Sequence, residues 1–117
     1  MTKESCWLLN EKYHGIETPA FRADLARLET GEPLAYVIGW VDFLGCRIDL
    51  SLRPLIPRSE TEFWVERALL EIKKKHGHSL LHILDLFSGS GCIGIALLKH
   101  LPYATIDFGE KDQRLFE

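Results

Sequence analysis

The chain has 117 residues, which is enough for one small domain at most. Its formal net charge of −3 and isoelectric point near 5.9 leave no basic surface, which argues against nucleic-acid binding by charge. The odd cysteine count, without a C-x-x-C pair, predicts reduced and mostly buried thiols rather than a disulfide framework or a zinc site: Cys6, Cys46 and Cys92.

No targeting or membrane segment is recognisable in the sequence. The longest apolar run, Cys92 to Leu98, is far shorter than the roughly 20 residues needed to cross a bilayer. The first residues carry acids and lack an arginine-rich amphipathic pattern, so neither a signal peptide nor a transit peptide is predicted. His76, His78 and His82 lie close in sequence, but they fall around a polar connection and we expect no metal site there.

The first predicted elements are a short helix and a hairpin. Thr18 and Pro19 are typical of an N-cap and a first helical position, and apolar residues continue at helical spacing to a stop at Gly31. From Tyr36 to Leu50 the pattern predicts a β-hairpin that turns at Leu44-Gly45. Apolar and charged residues alternate along its second strand.

A longer helix is predicted next. Ser59 and Glu62 form a capping-box pattern that marks its start. Three lysines and Gly77 mark its end, and the lysines suit the negative end of a helix dipole rather than a phosphate site. Between these limits apolar residues follow a helical period: Phe63, Trp64, Ala68, Leu69 and Ile72.

The most informative segment is an apolar run that ends in an acid and a glycine-rich turn. Residues Leu80 to Leu86 predict a strand with Asp85 at its end, and Gly89, Gly91 and Gly94 satisfy G-x-G-x-x-G. Glycines let the backbone turn sharply and approach a ligand. The helix that follows offers free N–H groups at its start.

The remaining residues complete a strand–helix–strand unit. Cys92 to Leu101 predicts a nearly all-apolar helix packed on a sheet, and Ala104 to Phe108 predicts a second, parallel strand. Together they predict one right-handed βαβ unit of a doubly wound sheet. Glu110 follows Gly91 by 19 residues, near the roughly 20-residue spacing at which a carboxylate meets ribose hydroxyls. Asp112 is predicted to cap a further helix.

Two cofactor classes use this geometry, nicotinamide dinucleotides and S-adenosylmethionine. In a dinucleotide fold the strand usually runs apolar straight into the first glycine, whereas here Asp85 stands at the strand end with three residues before Gly89. The acid favours S-adenosylmethionine. An NAD-dependent oxidoreductase and a ligand-free strand-to-helix turn remain alternatives.

Three upstream blocks carry a resemblance to a known family. They are GEPLAYVIG (31–39), FLG (43–45) and LIPRSETE (55–62). They resemble the HemK-type, release-factor glutamine N5-methyltransferase family, whose pattern reads G-E-P-x-x-Y-I-x-G, F-x-G and L-I-P-R-x-E-T-E. The Asp85 loop resembles that family's D-x-G-x-G-x-G motif, with Phe87 where the family usually has its first glycine. The match covers about residues 31 to 117, and the loop looks closer to the fungal mitochondrial branch.

The resemblance implies an α/β chain with an incomplete Rossmann-like class I methyltransferase fold. Residues 1–33 would be a remnant of an N-terminal helical domain, 34–58 a β-hairpin connector and 59–117 the N-terminal part of the cofactor-binding domain. The implied site binds S-adenosylmethionine, with the loop near the methionine moiety, Glu110 on the ribose hydroxyls, and Ser59, Glu60 and Glu62 toward the pocket. Its residues would be Asp85, Phe87, Ser88, Gly89, Ser90, Gly91 and Glu110.

The implied reaction methylates the glutamine side-chain amide in the Gly-Gly-Gln motif of peptide chain release factors, in the mitochondrion or alternatively in the cytoplasm. The family's catalytic N-P-P-Y turn does not occur in the 117 residues. In the family this turn orients the substrate amide, so catalysis is mainly placement. We therefore expect the front part of a methyltransferase, inactive alone, with no identifiable catalytic residue.

Two further expectations accompany this interpretation. A binding module that keeps the cofactor loop without catalysis is the alternative to an enzyme. Because the core sheet is predicted to contain only two parallel strands, the chain is also expected to associate with itself through open edges.

Overall fold

The computed structural model describes residues 1–116. The chain divides into two compact units, Met1–Trp40 and Val41–Glu117. The division falls within the segment 34–58, which was predicted to be a connector. The predicted domain boundaries themselves stay predictions.

The first unit is a cluster of three helices. They are α1 (Lys3–Tyr13), α2 (Pro19–Glu29) and α3 (Leu34–Ile38). Each contributes one fully buried apolar side chain to a common core: Leu8, Phe21 and Val37. The Phe21 amide donates to Thr18 Oγ1 at 3.0 Å, and this N-cap confirms the predicted start of α2.

Two features of this unit differ from the sequence predictions. The helix α1 was not predicted from the sequence, and Ser5 and Leu8 are its buried residues. Residues 36–38, predicted as strand, form the last turn of α3, which ends at Gly39 with φ 98°. Val37 has a local preference for strand, but its burial among the helices overrides that preference.

The second unit opens with the predicted hairpin. Its strands are β1 (Trp40–Phe43) and β2 (Cys46–Asp49). The connecting Leu44 and Gly45 have φ of 47° and 79°, the two positive values of a type I′ turn. Cys46 and Ile48 are buried while Arg47 and Asp49 are exposed, which confirms the alternation predicted for β2.

The rest of this unit is an α/β arrangement. It contains α4 (Ser59–His76), β3 (Leu81–Leu86), α5 (Cys92–His100), β4 (Ala104–Gly109) and a 3-10 turn (Gln113–Phe116). Strands β3 and β4 pair in parallel, from Leu81 opposite Ala104 to Leu86 opposite Gly109. Helix α5 connects the two strands and contacts both. The predicted βαβ unit and α/β fold class are therefore confirmed.

Helix α4 ends as predicted but begins differently. Gly77 follows its last residue, whereas the capping box does not form: Arg58 is the N-cap and makes no side-chain capping bond. Glu62 Oε1 instead accepts a hydrogen bond from the Leu44 amide at 3.0 Å. Of the residues predicted on the apolar face, Leu69 is buried as predicted, whereas Phe63 and Trp64 are exposed. The helix also buries Val65, which was not predicted.

Candidate functional site

Residues 87–91 form the loop that leads from β3 into α5. The Ser88 amide donates to the Gly109 carbonyl at 3.0 Å, and the Gly91 amide donates to the Ser88 carbonyl at 2.8 Å. Gly89 and Gly91 have φ of 56° and 81°, a region that residues with a Cβ adopt only at a cost. The backbone of this loop therefore favours glycine at both positions.

Phe87 stands where the D-x-G-x-G-x-G motif has its first glycine. It differs from glycine in its side chain, but its backbone keeps a conformation typical of glycine. Its φ is 55°, in the left-handed region that glycine would adopt freely. Its side chain is 81% exposed. The loop thus keeps a glycine-like conformation at the position where the family usually has glycine, and Phe87 carries the strain.

Glu110, the first residue after β4, ties the loop to the neighbouring strand. Its Oε1 accepts from the Gly89 amide at 2.9 Å, and its Oε2 accepts from the Asp112 amide at 3.0 Å. The hydrogen bonds from the Asp112 and Gly89 amides lower the pKa of this carboxyl. An ionised carboxylate therefore lies beside the glycine loop, as the sequence spacing predicted.

Asp85 has a different environment from the other predicted site residues. It is 8% exposed, and its Oδ2 accepts from the Gly94 amide at 3.0 Å. Burial raises the pKa of this carboxyl despite that hydrogen bond. The observed contact holds the first turn of α5 against the end of β3, so Asp85 positions the loop in this structure.

Two substitutions of Asp85 should separate the contribution of its hydrogen bond to folding stability from the contribution of its charge. Asp85→Ala is expected to lower the free energy of unfolding by about 1–3 kcal/mol, because it leaves the buried Gly94 amide without an acceptor. Asp85→Asn keeps an acceptor and removes the charge, so it should cost less. Urea unfolding of both variants measures the difference.

The charge of Asp85 also predicts a pH dependence. Because its pKa is raised in the folded chain, wild type should lose stability relative to Asp85→Asn as pH rises from the ordinary value of 3.8 through the raised one. Unfolding followed between pH 3 and pH 7 checks this. If the difference in unfolding free energy between wild type and Asp85→Asn stays constant with pH, the pKa of Asp85 is not raised by burial.

The loop and Glu110 line a cavity of 420 Å³ at this end of the second unit. Five of the seven predicted site residues lie on its wall: Phe87, Ser88, Gly89, Ser90 and Glu110. Gly91 shapes the loop without lining the cavity, and Asp85 lines a separate apolar cavity beside α4. The volume is within the 300–1,000 Å³ typical of small-molecule sites.

The opposite wall comes from the LIPRSETE block. Residues 55–57, Arg58 and Thr61 line the cavity, whereas Ser59, Glu60 and Glu62 do not. Arg58 and Thr61 are three residues apart at the start of α4, so they share one face of the helix. The resemblance implied that Ser59, Glu60 and Glu62 lie toward the pocket, whereas Arg58 and Thr61 are the residues of this helix start that line the cavity.

Glu62 belongs instead to a clamp on the hairpin turn. Glu62 accepts the hydrogen bond from the Leu44 amide. The Leu44 carbonyl lies 2.9 Å from His100 Nε2, and Lys99 Nζ donates to the Gly45 carbonyl at 2.6 Å. Residues from α4 and α5 therefore hold the F-x-G turn. This contact gives the FLG block and Glu62 a structural role.

The chemistry around the cavity favours binding over nucleophilic catalysis. All three cysteines are free, and two of them, Cys46 and Cys92, are buried while Cys6 is exposed, in agreement with the prediction of mostly buried thiols. Burial raises the pKa of the Cys92 thiol on the cavity wall, so this thiol stays protonated at neutral pH.

Across residues 1–116, no three acid, histidine or cysteine side chains are grouped to hold a metal ion.

In residues 1–116 no helix is both long enough and apolar enough to cross a bilayer.

Comparison with known proteins identifies relatives that share one name, release factor glutamine methyltransferase. The protein from Flavobacterium psychrophilum is 37% identical over 95 residues, 81% of this chain and 33% of the relative. That from Geobacter sulfurreducens is 40% identical over 90 residues, 77% of this chain and 30% of the relative. That from Bordetella pertussis is 35% identical over 107 residues, covering 89% and 38%.

No family model matches the chain. The chain spans about a third of the length of these relatives. The identities are nevertheless 35–40% over more than three quarters of the chain. They agree with the family resemblance that the three sequence blocks at 31–39, 43–45 and 55–62 carry. By this similarity the chain belongs to the release factor glutamine methyltransferase family.

Proposed function

We propose that the cavity between the Gly89 loop and the LIPRSETE block binds S-adenosylmethionine. The observation that carries the proposal is the Glu110 carboxylate, ionised and fixed beside the loop on the wall of this cavity. Each of its oxygens accepts one backbone hydrogen bond and has a second lone pair for a ribose hydroxyl. Ser88, Gly89 and Ser90 supply the wall on which the rest of the cofactor would lie.

The proposed reaction is transfer of the sulfonium methyl group to the glutamine amide nitrogen of a release factor. The name shared by the relatives supports this acceptor. The second candidate is a binding module that retains the cofactor loop without catalysis. Mitochondrial location stays a prediction from the resemblance.

Calorimetric titration of the purified chain with S-adenosylmethionine and, separately, with NAD tests the cofactor proposal. We expect heat of binding with S-adenosylmethionine and none with NAD. Tighter binding of NAD would overturn the proposal in favour of an oxidoreductase site. Methyl transfer by the chain to a release factor would exclude the binding module and show that the N-P-P-Y turn is dispensable.

We also propose that the chain associates with itself through the open face and edges of its β3–β4 sheet. Leu84 and Leu86 lie on one face of β3 and are 58% and 62% exposed. On the same face His82 and Asp107 form an exposed pair, with Nε2 and Oδ2 2.6 Å apart. Within residues 1–116 each strand of this pair also has an unpaired edge, and uncovered apolar faces and open edges promote association.

Size-exclusion chromatography over a range of protein concentrations tests this association. We expect the apparent mass to rise with concentration, and Leu84→Lys to suppress the rise by placing charge on the open face. The matched control is Leu70→Lys, at an equally exposed position on α4. A concentration-independent monomer of wild type would contradict the proposal.

A further inference from the structure

Phe87 is unusual among the residues with left-handed backbone. Within residues 1–116, four residues other than glycine have positive φ: His14, Leu44, Arg53 and Phe87. His14 ends α1 as its C-cap, and Leu44 forms the hairpin turn that α4 and α5 clamp. Phe87 lies in a loop where glycine would serve without strain, and its large side chain gains little from packing because 81% of it is exposed.

The place of the Phe87 side chain suggests what its aromatic ring contacts. It lines the 420 Å³ cavity together with Glu110, and it is the only aromatic residue among the described residues on that wall. The other charged residues on the wall are Arg58 and Asp112, and Asp112 is already paired with Arg114. An aromatic face and an ionised carboxylate both attract a positively charged ligand group.

We propose that Phe87 is a specificity-determining residue that contacts the positively charged sulfonium of S-adenosylmethionine. This inference rests on the proposed function, because it requires that the cofactor occupy this cavity. A cation over an aromatic face is attracted by the ring quadrupole, whereas a neutral thioether gains much less. Phe87 would therefore favour S-adenosylmethionine over the demethylated product, S-adenosylhomocysteine, and ease product release.

The test is the ratio of the two affinities, measured by calorimetry on the complete chain. For wild type, Phe87→Leu and Phe87→Tyr, both S-adenosylmethionine and S-adenosylhomocysteine are titrated. Leucine keeps an apolar side chain and the backbone strain but removes the ring. We expect Phe87→Leu to weaken S-adenosylmethionine binding about 3- to 30-fold with little change for S-adenosylhomocysteine, and Phe87→Tyr to retain the wild-type ratio.

Phe87→Gly separates binding from folding. Glycine removes both the ring and the strain, so this variant should melt no lower than wild type while losing the same preference for the sulfonium. Circular dichroism melts verify that every variant is folded.

Two outcomes distinguish failure of the inference from failure of the proposed function. If wild type binds both ligands and Phe87→Leu weakens both equally, the ring makes only a general apolar or adenine contact and the sulfonium role is overturned. If wild type binds neither ligand, the cofactor site itself is wrong and the inference falls with it.

Discussion

Gly94→Ala is expected to lower the free energy of unfolding by about 1–2 kcal/mol. A Cβ at this position would lie 2.3 Å from Phe108 Cε1 and 3.1 Å from Asp85 Oδ2, both on the strands that α5 packs against. Overpacking of this kind typically costs about 1–3 kcal/mol. The better helix propensity of alanine recovers up to about 1 kcal/mol of that cost. Thermal and urea unfolding measure the net change.

A double-mutant cycle with Phe108→Ala identifies the cause. Phe108 is partly exposed, so its ring can be removed without emptying a buried core position. If the clash with the ring is responsible, Gly94→Ala should cost at least 1 kcal/mol less in the Phe108→Ala background, an effect typical of directly contacting residues. Equal costs in both backgrounds would mean that the helix does not approach β4 this closely.

Glu110→Ala is expected to weaken S-adenosylmethionine binding at least tenfold. Hydrogen bonds to an ionised carboxylate are stronger than those between neutral groups, so loss of the ribose contacts should lower the affinity strongly. The structure adds a second reason, because the same carboxylate holds the Gly89 amide at 2.9 Å and its removal frees the loop. Glu110→Gln keeps an acceptor for that amide, so it reports mainly the loss of charge.

The matched control is Asp107→Asn, which removes a nearby carboxylate that lies within β4. Asp107 pairs with His82 and does not line the cavity. Its substitution should leave the affinity for the cofactor unchanged. If Asp107→Asn weakens binding and Glu110→Ala does not, the ribose contact has been assigned to the wrong acid.

Signals that depend on a few neighbouring residues predicted several elements correctly. The apolar run before Asp85 predicted strand β3, and the glycines predicted the turn that follows it. Thr18 and Pro19 predicted the start of α2. The spacing of Glu110 from the glycines likewise follows from one strand–helix–strand unit.

Predictions failed for residues whose conformation or hydrogen-bond partner is determined by tertiary contacts. Val37 has strand propensity but is buried in the helical cluster, and Glu62 fits a capping box but bonds to a hairpin turn 18 residues earlier. Arg58 and Thr61 reach the cavity wall only because α4 begins beside the loop. No short window of sequence contains that information.

The most direct test of the central claim is an amide ¹H–¹⁵N shift titration of the chain with S-adenosylmethionine. We expect the largest shifts at the amides of Ser88, Gly89 and Ser90 and around Glu110, the residues that line the 420 Å³ cavity. A second cavity, of 340 Å³, lies at the other end of the strands beside Leu81 and Tyr103 and serves as an internal control. Shifts confined to that second cavity, or no shifts at saturating cofactor, would contradict the claim that the glycine loop and Glu110 form the cofactor site.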